Sequence, residues 1–505
     1  MAIRTPYVVA GCLGLLVGVA WMSVGVVAGV TWPWVMGALV VSGVGVVLYT
    51  PDQLRVVGVA VFAAGIGVLH MAYAAHEVAR APSFPATTFP LEGRVRRVLS
   101  AETNQFRVRL TGAHGPESGQ ESAVVDLVLP PRYRGSALPG DMVRAPCRFR
   151  PARMLRERFL SAGICTVHVR DAVHVRPADR YTIARVLAQL HDAAASRMER
   201  VFPEPTSGIL RSLLLGDRRT VAPELDRAFR STGTVHVLVV SGWHMTMVAL
   251  AVRRLLRALW FPRELAVGLA LLAVLGMLGI AGPDPSALRG ACMAAVVLAV
   301  ELLGRVGNPL RALLLTTTVM VLVRPSLLAF EVGFQLSVLA TAGLLVASSG
   351  ERSETRTSPW RQEVVALVRA SFAAAIATAP LLAWTFGTVT PLGVLANVLI
   401  VPVVPVMVLG GVLVLLAMTV IPAAVPLMVW GTDALVRGFV FLVQFFAHLP
   451  GVSTRVIVDG WFVVACYGLL AVLVWWWYRW RGIRLWMPMI ADDPHAASMP
   501  PVGIG

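Results

Sequence analysis

Two histidines, a serine and a glycine interrupt the apolar run TGTVHVLVVSGWHMTMVAL at residues 232–250. Ser241 and His244 stand three residues apart, a spacing at which a nucleophile and its base can meet on one helical face. The sequence places no third residue to orient that base, and serine and histidine in membrane helices commonly bond neighbouring helices. Two readings follow: an intramembrane serine hydrolase using Ser241 and His244, or a polar interior lined by His236, Ser241 and His244. Metal chemistry lacks a ligand set, because the chain contains no HExxH, paired CxxC or HxHxD pattern. No cofactor is expected, and without GxxxxGK[ST] an ATP motor would be another subunit.

Further polar groups lie at intervals in apolar sequence. In SLLLGDRRTVAPELDRAFRS, Asp217, Arg218 and Arg219 form a charged step ahead of a short amphipathic segment. In PDPSALRGACMA, Asp284 and Pro285 open a helix that carries Arg289 in its first turns. Orphan amides, the helix dipole and an arginine make an anion site there; an internal pair between Asp284 and Arg289 is the alternative. Gln335, Ser337 and Asn397 each interrupt later apolar segments and individually read as interhelical glue. Taken with His236, Ser241, His244 and Arg289, they fit one shared polar conduit, since polar groups at membrane depth face protein or water.

The elements that must position these residues are membrane helices. The chain has 505 residues, 57% of them hydrophobic and 14% charged, with a mean hydropathy of +0.72, a balance foreign to soluble domains of this size. Long continuous apolar runs favour helices over the alternating segments of a membrane barrel. Three such runs open the chain: Tyr7 to Val30, Val35 to Tyr49 and Val56 to Ala75. About eight or nine more follow between Leu210 and Tyr478. The expected fold is a polytopic α-helical membrane protein of about 11 or 12 spans, some broken or re-entrant, with a small all-β OB-like domain inserted. GIAGPDPSALRG, TVTPLGVLANVLIVPVVPVM and GFQLSVLATAGLL are the expected interruptions, and interrupted helices mark cavities or pathways.

Between Leu91 and Val175 the hydrophobic period changes to two, as in FRVRL and CTVHVRDAVHV, the mark of half-buried strands. About five strands in so short a segment fit a closed barrel or a small sandwich. The net charge of +16 comes entirely from arginine, and residues 76–200 hold twenty Arg against twelve Asp and Glu. This excess suits a polyanionic partner, whether nucleic acid, lipid headgroup or acidic polymer, or else a solvated surface. Arg107, Arg109, Arg144, Arg148, Arg150 and Arg153 are the candidate contacts, with Phe106, Tyr133 and Phe149 as stacking or core residues. Arg4 before the first span and Arg479, Arg481 and Arg484 after the last place both termini in the cytoplasm and, after three spans, the barrel outside. There Cys147 and Cys165, the two cysteines of the barrel, can pair.

The expected boundaries are 1–78 for the leading helices, 86–178 for the barrel and 179–205 for an amphipathic linker helix, lying on the membrane surface or on the barrel. Residues 206–450 form the membrane core, 451–485 the final span and its basic end, and 486–505 a disordered tail.

LLLGDRR, AFRSTGTVHVLVVSGWH, PSALRGACMA, GRVGNPL, GFQLSVLATAGL and TPLGVLANVLIVP occur in the order seen in the ComEC-type competence proteins, and the chain resembles that family from residue 206 to about 450. The resemblance implies an inner-membrane channel passing single-stranded DNA to the cytoplasm during natural transformation, with the barrel meeting DNA outside. The implied partners are single-stranded DNA, the lipid bilayer, and the receptor, motor and nuclease proteins of an uptake machinery. The matching motif positions are Gly216, Asp217, Arg218, Thr232, Gly233, His236, Ser241, Gly242, His244, Pro285, Ser286, Arg289, Asn308, Phe334, Gln335, Ser337 and Asn397. Trp243 stands where the family more often has an aliphatic residue. Many family members continue into a metallo-β-lactamase-like domain; this sequence resembles a short form without it, a channel rather than a nuclease. An exporter of an anionic lipid or polymer fits the same charge distribution.

Overall fold

The computed structural model describes residues 88–99, 106–114, 123–129, 139–151, 163–168, 173–176, 183–218, 220–282, 284–302, 308–348 and 359–480, with isolated positions between 12 and 71. The expectations for the three leading spans, Tyr133, Arg153 and the tail lie outside the described residues. So does the side chain of Arg107.

The strands are β1 (Thr88–Leu99), β2 (Phe106–His114), β3 (Ala123–Leu129), β4 (Met142–Pro151), β5 (Gly163–Thr166) and β6 (His174–Arg176). They form one sheet in the order β1-β2-β3-β5-β4-β6, and β1 also pairs with β4, so five strands close into an OB-like barrel. Strands β3 and β5 run parallel; the other neighbours are antiparallel. Alternation decides what faces inward. Val143, Ala145, Cys147 and Phe149 of β4 join Leu91, Val95, Val108, Leu110, Val125 and Leu127 in the core, while Arg144, Arg148 and Arg150 stay exposed. Closure leaves no open edge among the five strands.

A disulfide joins Cys147 on β4 to Cys165 on β5, with Cα atoms 5.5 Å apart and a sequence separation of 18. Both residues are buried. A cross-link over a loop of this length stabilises by about 3 kcal/mol through the unfolded state. The Cys147→Ser/Cys165→Ser protein is therefore expected to unfold at lower temperature than its parent. Thiol labelling of the denatured parent should rise on reduction; equal labelling with and without reductant would remove the disulfide.

The helices, in chain order, are α1 (Ile183–Val201), α2 (Thr206–Leu215), α3 (Pro223–Ser231), α4 (Gly242–Ala258), α5 (Arg263–Ala281), α6 (Pro285–Leu302) and α7 (Pro309–Val323). After them come α8 (Ser326–Phe330), α9 (Val332–Ser348), α10 (Pro359–Phe386), α11 (Gly393–Ile400), α12 (Val404–Val420), α13 (Val425–Ala447) and α14 (Gly460–Trp480). Six described segments are long and apolar enough to cross a membrane: 263–281, 285–302, 365–386, 393–420, 422–447 and 460–477. Leu427, Trp430, Phe441, Trp461 and Trp476 are exposed on them, a distribution that lipid solvates and water does not. The protein is a multi-pass membrane protein.

The described chain divides into two compact units, one of residues 73–294 with 390–453, the other of the remainder. In the first, the core gathers Met198 and Phe202, Ile209, Leu210 and Leu213, Phe229, Leu238, Ile400, Val404, Met407, Val436 and Phe439. Helix α1 joins barrel to core. Arg185 reaches Asp141 at 2.7 Å beside β4, His191 Nδ1 donates to the Ile280 carbonyl at 3.0 Å, and Leu187 packs against Gly279 on α5. Ile183, Val186 and Leu190 remain exposed; α1 packs on α2 and α5 and reaches the barrel through the Arg185–Asp141 pair.

In the other unit, GFQLSVLATAGLL departs from its expected interruption. It lies within the unbroken helix α9. Glycine inside a helix costs about 1 kcal/mol relative to alanine, which packing offsets here, since Gly343 closes against the Ala373 backbone of α10. The expected break in TVTPLGVLANVLIVPVVPVM lies at its start: Thr388–Val389 form a short strand, β7, paired with β8 (Thr454–Arg455).

Candidate functional site

Helix α2 ends at Gly216, whose φ of +70° is left-handed, a conformation glycine adopts without the steric cost of a Cβ. A Cβ there would also lie 2.8 Å from the Ala281 carbonyl oxygen. The turn sends Asp217 back toward its own helix, where its buried carboxylate accepts from Arg211 at 2.6 Å. Arg211 also approaches Glu199 of α1 at 3.4 Å. Next along the chain, Arg218 pairs with Asp226 at 3.1 Å, and Asp226 is shared with Arg230 at 2.7 Å. The GDR sequence thus builds a helix cap and two internal ion pairs. Sequence reasoning missed Arg211; the signal available was a lone arginine in the apolar helix TSGILRSLLL.

A tight turn follows α3. Thr232 and Thr234 are buried and their hydroxyls lie 2.7 Å apart. Gly233 sits against Thr390, and Gly393 against the Thr232 carbonyl, so the STGTVH and TPLG motifs meet. His236 lies in a 3-10 turn, Val235–Leu238, its Nδ1 donating to the Gly233 carbonyl at 3.1 Å, with its side chain otherwise exposed.

Ser241 is the N-cap of α4. Its backbone N–H donates to His244 Nδ1 at 3.2 Å, and its hydroxyl lies 3.1 Å from the same nitrogen. His244 occupies the third position of a capping box, a place where glutamate or glutamine usually reaches back to the cap. Since Nδ1 already accepts the Ser241 amide, its lone pair is committed and the neutral ring carries its proton on Nε2. The pair is arranged for capping rather than for drawing a proton from the serine. His244 Nε2 is buried and has no hydrogen-bond partner among the described residues, leaving a donor available to an incoming group.

Arg289 stands beside this cap. Helices α4 and α6 cross where Gly242 meets Gly290: a Cβ on Gly242 would lie 3.1 Å from the Gly290 Cα and 3.0 Å from an Arg289 guanidinium nitrogen. Arg289 is buried and its other nitrogen contacts Met293 Sδ at 3.0 Å. The crossing therefore collects the N-terminal amides of α4, the His244 ring and a guanidinium, all of them donors or positive partial charges. Asn397 on α11 belongs to the same unit, and its Oδ1 is buried without a partner among the described residues.

The remaining candidates sit in the other unit. Gln335 donates to the Leu328 carbonyl of α8 at 2.6 Å, and the Ser337 carbonyl accepts from Thr341. Asn308 caps α7, accepting from Leu310 and Arg311 amides at 3.0 and 3.2 Å. In the barrel, Arg109 is held by Asp126 through two bonds of 2.7 and 3.0 Å. Among the described residues no group of three or more His, Cys, Asp or Glu is gathered as a metal site would require.

Comparison with known proteins bears on the region that contains this crossing. ComE operon protein 3 of Bacillus subtilis (strain 168) is 32% identical over 202 residues, 40% of this chain and 25% of that protein. An uncharacterized protein of Aquifex aeolicus (strain VF5) is 30% identical over 280 residues, 55% of this chain and 63% of that one. The chain thus covers a quarter of the first relative's length and less than two thirds of the second's. No solved structure matches. The profile of the family described as "Competence protein" matches residues 213–480, more than half of the chain, with the cap, the crossing and the threonine turn inside it, and the chain belongs to that family.

Proposed function

We propose that this protein carries single-stranded DNA across the cytoplasmic membrane during DNA uptake. The observation that supports this most directly is the α4–α6 crossing, where a buried arginine and a helix N-terminus stand together within a family whose members are competence proteins. An arginine at membrane depth is expensive unless it serves a pathway or a partner, and donors at a helix N-terminus suit phosphate. His236, Ser241, His244 and Asn397 extend that polar ground on the same unit, and Gln335 and Ser337 supply polar groups on the other. Residues 206–450 are the channel core in this reading, and 86–178 the extracytoplasmic barrel that meets DNA first. Both chain ends face the cytoplasm, and receptor, motor and nuclease activities come from partner proteins. Labelling of a Thr166→Cys protein, at an exposed barrel position, in intact cells with a membrane-impermeant reagent reports the barrel's side.

The test is DNase-protected entry of labelled DNA into host cells carrying the gene, lacking it, or complemented with variants at position 289. Protected DNA is expected to disappear in the deletion strain and to stay below about a tenth of parental level with Arg289→Glu, because reversing a buried charge repels each passing phosphate. Arg289→Lys keeps the charge and should recover part of the entry. Undiminished entry in the deletion strain would remove the reading.

A further inference from the structure

Among the described residues, the barrel's unpaired positive charge lies on an unexpected side. OB folds bind oligonucleotides on the face of their second and third strands. Among the described side chains that face is neutral and half covered: Asp126 is buried under Arg109, and Val124 and Val128 beside them are half-buried. The outward positions of β1, β4 and β6 differ. Cross-strand register sets Arg94 opposite Met142 and Met142 opposite Arg176. In the next row Glu92 faces Arg144, and Arg144 faces His174. Farther along β4 come Arg148, opposite Thr88 and Thr166, and then Arg150. Arg94, Arg96, Arg144, Arg148, Arg150 and Arg176 are all exposed. Among the described residues none of the six makes an ion pair, whereas Arg109, Arg185 and Arg211 are each tied to an aspartate.

We infer that the outer face of β1, β4 and β6, rather than that of β2 and β3, is the barrel's binding surface for a nucleic-acid strand, which it grips by the phosphodiester backbone. This rests on the proposed role in DNA uptake and adds to it the place and manner of capture. Opposite residues in antiparallel strands point to the same side, so the guanidiniums of Arg94, Arg144, Arg148, Arg150 and Arg176 share one surface with a single described acidic neighbour, Glu92. Positions two apart on a strand are about 6.6 Å apart, so Arg148 and Arg150 form successive steps along β4 for a chain of phosphates. Stacking plays no part on this face: Phe89 and Phe149, the described aromatics of these strands, are buried in the core. Recognition is then indifferent to base identity and steeply dependent on salt.

The experiment uses the full chain in nanodiscs of zwitterionic lipid, with fluorescent oligothymidylate and an abasic phosphodiester strand of equal length as probes. Both strands should bind alike. Arg144→Glu/Arg148→Glu/Arg150→Glu is expected to weaken binding by about 30-fold or more, and Arg144→Gln/Arg148→Gln/Arg150→Gln to flatten the log–log salt slope by about 2, as three lost single-strand phosphate contacts require. Two negative charges on the other face, Val124→Glu/Val128→Glu, should leave the affinity within about threefold, because at that distance they are screened. An intact disulfide and an unchanged melting temperature certify each variant as folded.

Parental affinity in both triple variants, or an equal loss from the β2–β3 control, would overturn the assignment. A glutamine triple that loses binding to phosphatidylglycerol vesicles but keeps the strand would overturn it too, showing a lipid face instead. Failure here with gene-dependent, Arg289-sensitive uptake intact removes only this surface. A lost surface in a strain whose uptake ignores the gene removes the transport reading.

Discussion

Substituting alanine for Gly290 is expected to eliminate most folded protein from the membrane, although the change adds one methyl group. That methyl would fall on the Cα of Gly242. Overpacked side chains usually cost about 1–3 kcal/mol because neighbours shift. Here the obstacle is backbone, so α4 and α6 must separate as whole helices. Separation would pull apart the Ser241–His244 cap and Arg289 together, as both flank the crossing. The measurement is the monodisperse fraction on fluorescence-detected size exclusion after mild solubilisation, expected below about a tenth of parent for Gly290→Ala. Gly268→Ala on α5 is the matched control, since a Cβ there meets nothing within 4 Å, and its better helix propensity predicts parental behaviour or a small gain. A Gly290→Ala protein as abundant and thermostable as its parent would mean that the helices do not cross this closely.

The second large effect is at Arg211 and Asp217. Removing one partner of a buried pair takes away the other's nearest counter-charge, at a cost of up to about 3–5 kcal/mol. Asp217→Asn and Arg211→Met should each lower the melting temperature of the solubilised protein sharply. Arg211→Met/Asp217→Asn should be less destabilised than the sum of the two, since no charge is left alone. Strict additivity would show that the residues do not act as a pair. The expected coupling casts Asp217, a motif residue, as part of the framework that seats α2 against α5, apart from the conduit proposed around Arg289.

The membrane class and the barrel were legible because each rests on a local period: unbroken apolar runs in one case, alternation of two in the other. β4 shows why this succeeded, since RAPCRFR gives its inward and outward residues without knowledge of any partner strand. The polar positions were legible as positions but not as roles. Arg211 and Asp217 are six residues apart, yet their meeting depends on Gly216 turning left-handed. Gly242 and Gly290 lie forty-eight positions apart, and no periodicity joins them. His244 read as a base because cap and dyad share a three-residue spacing; only the Ser241 amide on Nδ1 separates the two. The continuity of α9 was missed for a related reason: glycine marks a break or a close approach, and the choice belongs to the neighbouring helix, here Ala373 on α10.

Helix α1 has a mechanical meaning. It is fastened to the barrel by Arg185 on Asp141 and to the last turn of α5 by Leu187 and His191. Ala281, one residue beyond the His191 anchor, bears on Gly216. A strand tugging on the barrel would therefore load a strut rather than a slack tether, and the force would arrive at the Gly216–Asp217 turn. The aspartate locked to Arg211 there acts as the abutment against which that strut presses.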